Sequence, residues 1–252
     1  MEAPEIRVIG LTGLPEVREG ADLPRLVLEA AGRQGLAFAS DDVLIVTQKV
    51  VSKAEGRVVD LDTVEPSAFA REIAAAWNRD PRVVEVVLRE SRRIVRMDRG
   101  VLIAETHHGF VCANAGVDAS NVGRTGLVTL LPADPDASAE EIRRRVSEAT
   151  GADLAVIISD TFGRPWREGH VNFAIGVAGM EPLLDYAGRT DPAGYELRLT
   201  KIALADELAG AAELAMGKLE RVPAAVIRGF GYPRGCGTGR SLLREAERDM
   251  FR

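Results

Sequence analysis

Short runs of apolar residues recur along the chain and end abruptly at polar residues. Such runs occur at 43–46 (VLIV), at 154–158 (LAVII) and within 222–229 (VPAAVIRG). An uninterrupted apolar run of this length is typical of a strand that is buried on both faces. We therefore predict buried strands at these three places. We also predict a strand at the start of VIGLTGLPEVREG (8–20) and two short strands between Val101 and Ala115.

Apolar residues at helical spacing occupy other segments. They predict helices in ADLPRLVLEAAGRQG (21–35), in 67–91 with a break at Asp80-Pro81, and in LTKIALADELAGAAELAMGK (199–218). Ser138 followed by Glu141 is a capping-box signal for a helix that ends at Gly151. Strands and helices do not alternate regularly, which favours an α+β fold with mixed sheets, packed helices and two intimately associated subdomains.

Length and composition limit the function classes. The 252 residues suit one single domain with a sizeable core. The net charge of −6 argues against nucleic acid as a partner. Two cysteines are too few for a disulfide scaffold or a four-thiolate zinc site. With no apparent leader and no apolar stretch of about 20 residues, we expect a cytoplasmic protein without a membrane partner.

Polar residues follow three of the predicted strands. SDTFGRPWREG (159–169) places Asp160 and Thr161 at the end of a core strand, and NAGVDASNVG (114–123) contains Asp118 between glycines. TQKVVSKAEG (47–56), interpreted as a turn, offers Lys49 and Lys53. Mg²⁺ binds oxygen ligands and takes only one or two protein carboxylates, while cationic side chains neutralise phosphates. Together the three segments predict a metal-nucleotide site.

Each of these groups also has a structural interpretation. Asp118 could simply form a turn, Asp160 could cap the strand end, and the lysines could be solvated. His107 and His108 could be acid–base groups or structural residues. The glycine-rich segment GFGYPRGCGTGR (229–240) does not have dinucleotide-loop spacing, and it is interpreted as a structural connection or a ligand contact.

Seven blocks resemble the coenzyme F420-0:L-glutamate ligase (F420 gamma-glutamyl ligase) family. They are GLPEV, VTQKVVSKAEGR, NAGVDASNVG, LLPADPDASA, SDTFGRPWREG, YAGRTDPAGYEL and GKLERVPAAVIRGFG, in order from about residue 6 to 231. The resemblance implies an α+β homodimer that uses GTP and Mg²⁺ or Mn²⁺ to add γ-linked L-glutamate to coenzyme F420-0. A monovalent cation such as K⁺ is a further candidate cofactor. Some members continue into a nitroreductase-like domain, which we do not expect in a chain ending at Arg252.

The resemblance also implies roles for individual residues. It assigns metal binding to Asp118, Asp160 and Thr161. It assigns nucleotide contacts to ten positions: Leu14, Pro15, Glu16, Val17, Gln48, Lys53, Asn121, Met216, Gly217 and Lys218. Gln48 stands where relatives commonly have serine, so its reach towards the nucleotide differs.

The implied chemistry proceeds through an acyl phosphate and releases GDP and phosphate. Charge clamping would then supply most of the catalysis, with Asp160 at the metal. From the residues themselves we predict that Arg164 and Arg167 contact phosphates or substrate acids, and that Trp166 lines the acceptor pocket or anchors the loop. Two alternatives remain: another metal-dependent carboxylate ligase or phosphotransferase, and a non-catalytic GTP-binding module.

Overall fold

A mixed five-stranded sheet forms the centre of the protein in the computed structural model, which describes residues 3–119 and 126–250. Its strand order is β1-β12-β2-β8-β9, and only the β2–β8 pair is parallel. The strands of this sheet are β1 (Arg7–Gly10), β2 (Val43–Thr47), β8 (Ala155–Arg164), β9 (Arg167–Ala178) and β12 (Ala224–Arg228).

The central strands of this sheet contain runs that are apolar at every position and buried on both faces, at 43–46, 155–158 and 224–227. Odd-numbered Val43, Ile45 and Ile157 face the same core cluster as helix α6 (Leu204–Met216). Leu44 and Val156 face the opposite cluster, with helices α1 (Leu23–Arg33) and α5 (Pro135–Thr150). Successive side chains of a strand point to opposite faces of the sheet, and here each face packs against its own core cluster. Every position is therefore buried, which explains why no polar residue interrupts these runs.

A second packing unit consists of smaller sheets and two helices. Strands β4 (Ser91–Asp98), β5 (Val101–Thr106) and β6 (Val111–Ala113) form an antiparallel sheet, and β3 (Val58–Asp60) pairs with β7 (Leu127–Thr129). Helices α3 (Ala68–Trp77) and α4 (Pro81–Arg89) pack on these sheets. The remaining elements are helix α2 (Gln48–Ala54) and the pair β10 (Leu184–Asp185) and β11 (Lys201–Ile202). The predicted α+β class is confirmed.

Four local predictions were wrong. In the segment 199–218, predicted as a helix, Lys201–Ile202 form strand β11 and helix α6 begins only at Leu204. The segment with Lys49 and Lys53 is not a turn but helix α2, which begins directly after β2. Strand β8 does not end near Ile158 but continues to Arg164 and pairs with β9, so its polar residues belong to a hairpin. Helix α5 begins at Pro135 rather than at Ser138, because the Asp134 carboxylate accepts a hydrogen bond from the Ala137 amide and proline is well suited to the first turn.

The central sheet has β1 at one edge and β9 at the other. Two backbone amides of β9 donate to carboxylates: Ala174 N to Asp206 Oδ1 at 2.9 Å, and Val177 N to Asp136 Oδ1 at 2.9 Å. Burial raises the pKa of the Asp206 carboxyl above its usual value, and the Ala174 amide opposes that shift. Within the described ranges, no helix has the length and apolar character needed to cross a bilayer.

Candidate metal and nucleotide site

Asp160 and Thr161 lie on strand β8, at the point where it leaves the buried part of the central sheet and borders a cavity. Register with β9 places Asp160 opposite Phe173 and Thr161 opposite Asn172. The Thr161 amide donates to Asp160 Oδ1 at 2.8 Å. Burial is the main cause that raises the pKa of Asp160 to about 6, and the neighbouring charge of Asp118 raises it further, while the Thr161 amide and Lys49 oppose the shift. Asp160 is therefore ionised at pH 7 and lies near a second carboxylate.

Asp118 belongs to the second packing unit, and a left-handed turn just before it directs the chain to the cavity. Asn114, Ala115 and Gly116 have successive φ values of 53°, 52° and 74°. A Cβ at Gly116 would lie 2.7 Å from the Leu131 side chain, so only glycine fits that position. Arg79 holds the turn by donating to Asn114 Oδ1 at 3.1 Å. Three consecutive left-handed residues are rare and are retained at sites where the backbone direction matters.

The backbone of Asp118 is fixed by the strand next to it. Its amide donates to Thr129 O at 3.0 Å, and the Thr129 amide donates to Asp118 O at 2.8 Å. Its carboxylate forms an ion pair with Lys49, with 2.7 Å between Oδ2 and Nζ. The carboxylate is thus directed towards helix α2, where the cationic groups of the site lie.

Helix α2 contributes three of the predicted groups. Gln48 is buried, accepts from Ser52 Oγ at 2.9 Å and hydrogen-bonds to Asp160. Lys53, one turn after Lys49, forms an ion pair with Glu16 at 2.6 Å. Residues four apart share a helix face, which explains why one short helix can bring both lysines to the same side.

Helix α2, the left-handed turn and strand β8 meet at a cavity of about 250 Å³. Its wall includes Gln48, Cys112, Asp118, Asp160, Thr161 and His170. Among the described residues, no group of three or more His, Cys, Asp or Glu side chains is placed to hold a metal. Two carboxylates and one hydroxyl, next to space for phosphate and water, nevertheless fit Mg²⁺ or Mn²⁺, because Mg²⁺ binds few protein carboxylates and keeps other ligands. The donor set does not fit zinc, which prefers nitrogen and sulfur.

The predicted nucleotide loop lies between β1 and α1. Glu16 and Pro15 are exposed, whereas Val17 is buried and belongs to the core, so Val17 can offer only its backbone to a ligand. At the end of α6, Met216 is likewise buried, while Gly217 and Lys218 are exposed. Lys218 donates to Thr161 Oγ1, so the structure brings this residue to the cavity. Asn121 lies outside the described residues, as does Ser120.

The two predicted arginines lie at the β8–β9 hairpin turn rather than on the cavity wall. Arg164 and Arg167 are paired across Pro165 and Trp166. The Arg164 guanidinium is turned back onto the carbonyl oxygen of Glu168, and Arg167 is exposed. Trp166 is 81% exposed and has φ of 58°, so it is not a packed anchor.

Several residues at the site were missed. His170 and Cys112 line the cavity, and Asn172 and Glu213 contact the Thr161 region. Alternating exposed and buried residues in β9 could have indicated that Asn172 is buried, but the sequence analysis did not predict a strand there. His107 and His108 both hydrogen-bond to backbone carbonyls, which supports their structural interpretation. In the C-terminal segment, a Cβ at Gly237 would meet Pro182 at 2.2 Å, which supports close packing there.

Comparison with known proteins assigns the family. The sequence pattern of F420-0:gamma-glutamyl ligases matches residues 12–229. The chain belongs to this family. It is 48% identical to the coenzyme F420:L-glutamate ligase of Methanothermobacter thermautotrophicus, over 98% of this chain and 99% of that one. It is 46% identical to the ligase of that name from Methanopyrus kandleri and 42% identical to that from Methanocaldococcus jannaschii, each over at least 98% of both chains.

Membership in the F420-0:gamma-glutamyl ligase family agrees with where the quoted motifs lie. Asp118, Asp160, Lys49 and Lys53 all fall inside the matched region. The structure places Asp118 and Asp160 on one cavity wall with Lys49 paired to Asp118, and it pairs Lys53 with Glu16. The four residues come from two packing units and are separated by up to 111 positions in sequence (160 − 49). Three of the separate sequence blocks that carry the family resemblance therefore contribute residues to the wall of one cavity.

Proposed function

We propose that this protein uses GTP to join L-glutamate to coenzyme F420-0, and then adds further glutamates through γ-linkages. The observation that carries the proposal is the meeting of Asp118, Asp160 and Thr161 in one cavity with Lys49 beside them, in a member of this ligase family. Relatives of nearly equal length bear the name coenzyme F420:L-glutamate ligase, which supports the choice of substrates.

The proposed reaction has two steps. A carboxylate oxygen of the acceptor attacks the γ-phosphorus of GTP, the bond from that phosphorus to the β,γ-bridging oxygen breaks, and GDP leaves. The glutamate amine then attacks the acyl carbon, the carbon–oxygen bond to phosphate breaks, and the amine loses a proton. Both steps gather negative charge in one place, so positioned cations provide the main stabilisation.

The residues present suit this chemistry. Asp118, Asp160 and Thr161 would hold Mg²⁺ or Mn²⁺, and the metal would neutralise phosphate oxygens. Lys49 and Lys218 provide ammonium groups at this site, held there by Asp118 and Thr161, and Lys53 forms an ion pair with Glu16 of the predicted nucleotide loop. Gln48 hydrogen-bonds to Asp160 and so helps to fix that carboxylate. The protein needs no nucleophile of its own.

Mass spectrometry of the acceptor tests the reaction directly. After incubation with protein, GTP, Mn²⁺ and L-glutamate, we expect a product heavier by one or more glutamyl residues, with one GDP and one phosphate per addition. Formation of GMP and pyrophosphate would contradict the acyl-phosphate route. Equal kcat/KM for GTP and ATP would remove the preference for GTP, and nucleotide binding without turnover would favour a binding module.

The substitution Asp160→Asn separates the metal role from a structural one. Losing a carboxylate that holds the metal should reduce kcat/KM at least about a hundredfold, equivalent to about 3 kcal/mol or more. The raised pKa means that ionised Asp160 destabilises the metal-free fold, an effect that sets in as pH rises from about 4 to about 6. We therefore expect the variant's unfolding temperature at pH 7 to equal or exceed that of the parent.

Measurements on the same variant could also contradict the metal role of Asp160. Asp160→Asn with near-normal kcat, unchanged Mn²⁺ dependence and a lowered unfolding temperature would show that Asp160 is structural. Asp206→Asn is a suitable control, because Asp206 is also a largely buried carboxyl with a raised pKa but caps the β9 edge instead of lining the cavity. We expect this control to retain Mn²⁺ dependence.

A further inference from the structure

A buried amide lies directly behind the Thr161 hydroxyl. Asn172 is 3% exposed and stands opposite Thr161 in the β8–β9 hairpin. Thr161 Oγ1 donates to Asn172 Oδ1 at 2.7 Å, and Asn172 Nδ2 donates to Glu213 Oε2 on α6 at 2.7 Å. The three side chains thus form a hydrogen-bonded row that runs from the helix, through the strand, to the cavity.

The chemistry of the two ends fixes the direction of every hydrogen bond in this row. A carboxylate at Glu213 can only accept, so the NH₂ group of Asn172 must face it and Oδ1 must face Thr161. An amide oxygen can only accept, so the Thr161 hydroxyl must donate its proton to Asn172. The Lys218 ammonium has no lone pair, which independently requires Thr161 Oγ1 to accept from it.

The consequence concerns what Thr161 presents to the cavity. With its single proton committed to Asn172 and one lone pair accepting from Lys218, the hydroxyl offers only its remaining lone pair in other directions. Lone pairs bind a cation, whereas an inward-pointing hydroxyl proton would repel one. A side chain that merely filled space at position 172 would leave the hydroxyl free to rotate between these two states.

We propose that Asn172, oriented by Glu213, is a positioning residue that holds the Thr161 hydroxyl oxygen in the orientation that binds a divalent cation. This inference rests on the proposed metal role of Thr161. Hydrogen-bond partners that orient a metal ligand typically contribute about 10- to 100-fold to metal affinity. Asn172 and Glu213 are therefore expected to act on metal binding without touching the metal.

The first test measures Mn²⁺ binding to the nucleotide-free protein by isothermal titration calorimetry. Asn172→Leu has nearly the shape of asparagine but cannot accept the Thr161 proton, and we expect its Kd for Mn²⁺ to rise about 10- to 100-fold. Circular dichroism and the unfolding temperature are recorded in parallel. An unchanged Kd in a folded Asn172→Leu protein would overturn the proposal.

A rescue variant keeps the test decisive if Asn172→Leu folds poorly. The double substitution Asn172→Asp with Glu213→Gln exchanges the acid and the amide and leaves the net charge unchanged. Asp at 172 would accept from both Thr161 and the new Gln side chain, so the hydroxyl keeps its orientation. We expect a Kd within about threefold of the parent, well inside the loss assigned to an orienting partner. A loss as large as that of Asn172→Leu would overturn the proposal.

A double-mutant cycle separates this inference from the proposed function. If Asn172 acts through Thr161, Thr161→Val should weaken Mn²⁺ binding and Asn172→Leu should add no further loss in that background. Additive losses would overturn the proposal. Parent-like Mn²⁺ affinity in Thr161→Val would show that Thr161 does not bind the metal. It would overturn both the metal role proposed for Thr161 and the positioning role proposed for Asn172. Weakening by Thr161→Val alone, with Asn172→Leu unaffected, would overturn only the positioning role.

Discussion

At the scale of single residues, the two cysteines have opposite environments. Cys112 is buried on the cavity wall, and burial, assisted by the charge of Asp160, raises the pKa of its thiol to about 12. At pH 8 a thiol of that pKa is about one part in ten thousand thiolate, the reactive form. Cys236 is exposed. We expect a thiol reagent at pH 8 to label one cysteine per native chain, identified as Cys236 by peptide mass spectrometry.

Denatured protein provides the control for this labelling, because both cysteines should then react. Equal labelling rates of the two in native protein would show that Cys112 is accessible and ionised. At this same scale, the sequence predicted Asp118, Asp160 and Thr161 as metal ligands, since polar groups that follow predicted strands are conspicuous and the family resemblance points to them, and the structure places all three on one cavity wall. The sequence could not identify Asn172, because its partners Thr161 and Glu213 are 11 and 41 residues away and only the fold brings them together.

At the scale of elements, the β8–β9 hairpin has an unusual turn. Proline followed by a residue with positive φ is the pattern of a type II turn, in which the second position favours glycine. Trp166, with φ of 58°, occupies that position. Left-handed backbone costs a non-glycine residue about 1–2 kcal/mol, and the greater unfolded entropy of glycine offsets about 0.5–1 kcal/mol of any gain. Trp166→Gly should therefore be more stable than Trp166→Ala in urea unfolding.

Alanine is the matched control because it removes the indole but keeps the strain. If Trp166→Ala is the more stable of the two, strain at this turn is absent.

Elements such as β2 and β12 were predictable because burial on both faces leaves an unbroken apolar run. Strands β4 and β9 were not, because exposed polar residues interrupt their patterns, and α2 is too short for helical periodicity to distinguish it from a turn.

At the scale of the whole molecule, we still predict a homodimer. The apolar residues of α6 do not by themselves support it, because most face the core under the central sheet. Leu199, Leu214 and Leu219, however, are about nine-tenths exposed. Light scattering should give twice the chain mass for the parent and a lower mass for Leu214→Gln, whose new side chain is also a good helix former. A parent of single-chain mass would end this prediction.

The carboxylates of Asp136 and Asp206 have a consequence for how copies of the chain can meet. Open strand edges invite another chain to continue the sheet, which is the common route to fibres. Here the amides of Ala174 and Val177 already have acceptors within their own chain. A second copy approaching this stretch of β9 finds these two donors already paired. Another chain could pair with these two positions of β9 only by displacing a carboxylate, which disfavours continuation of the sheet along this stretch.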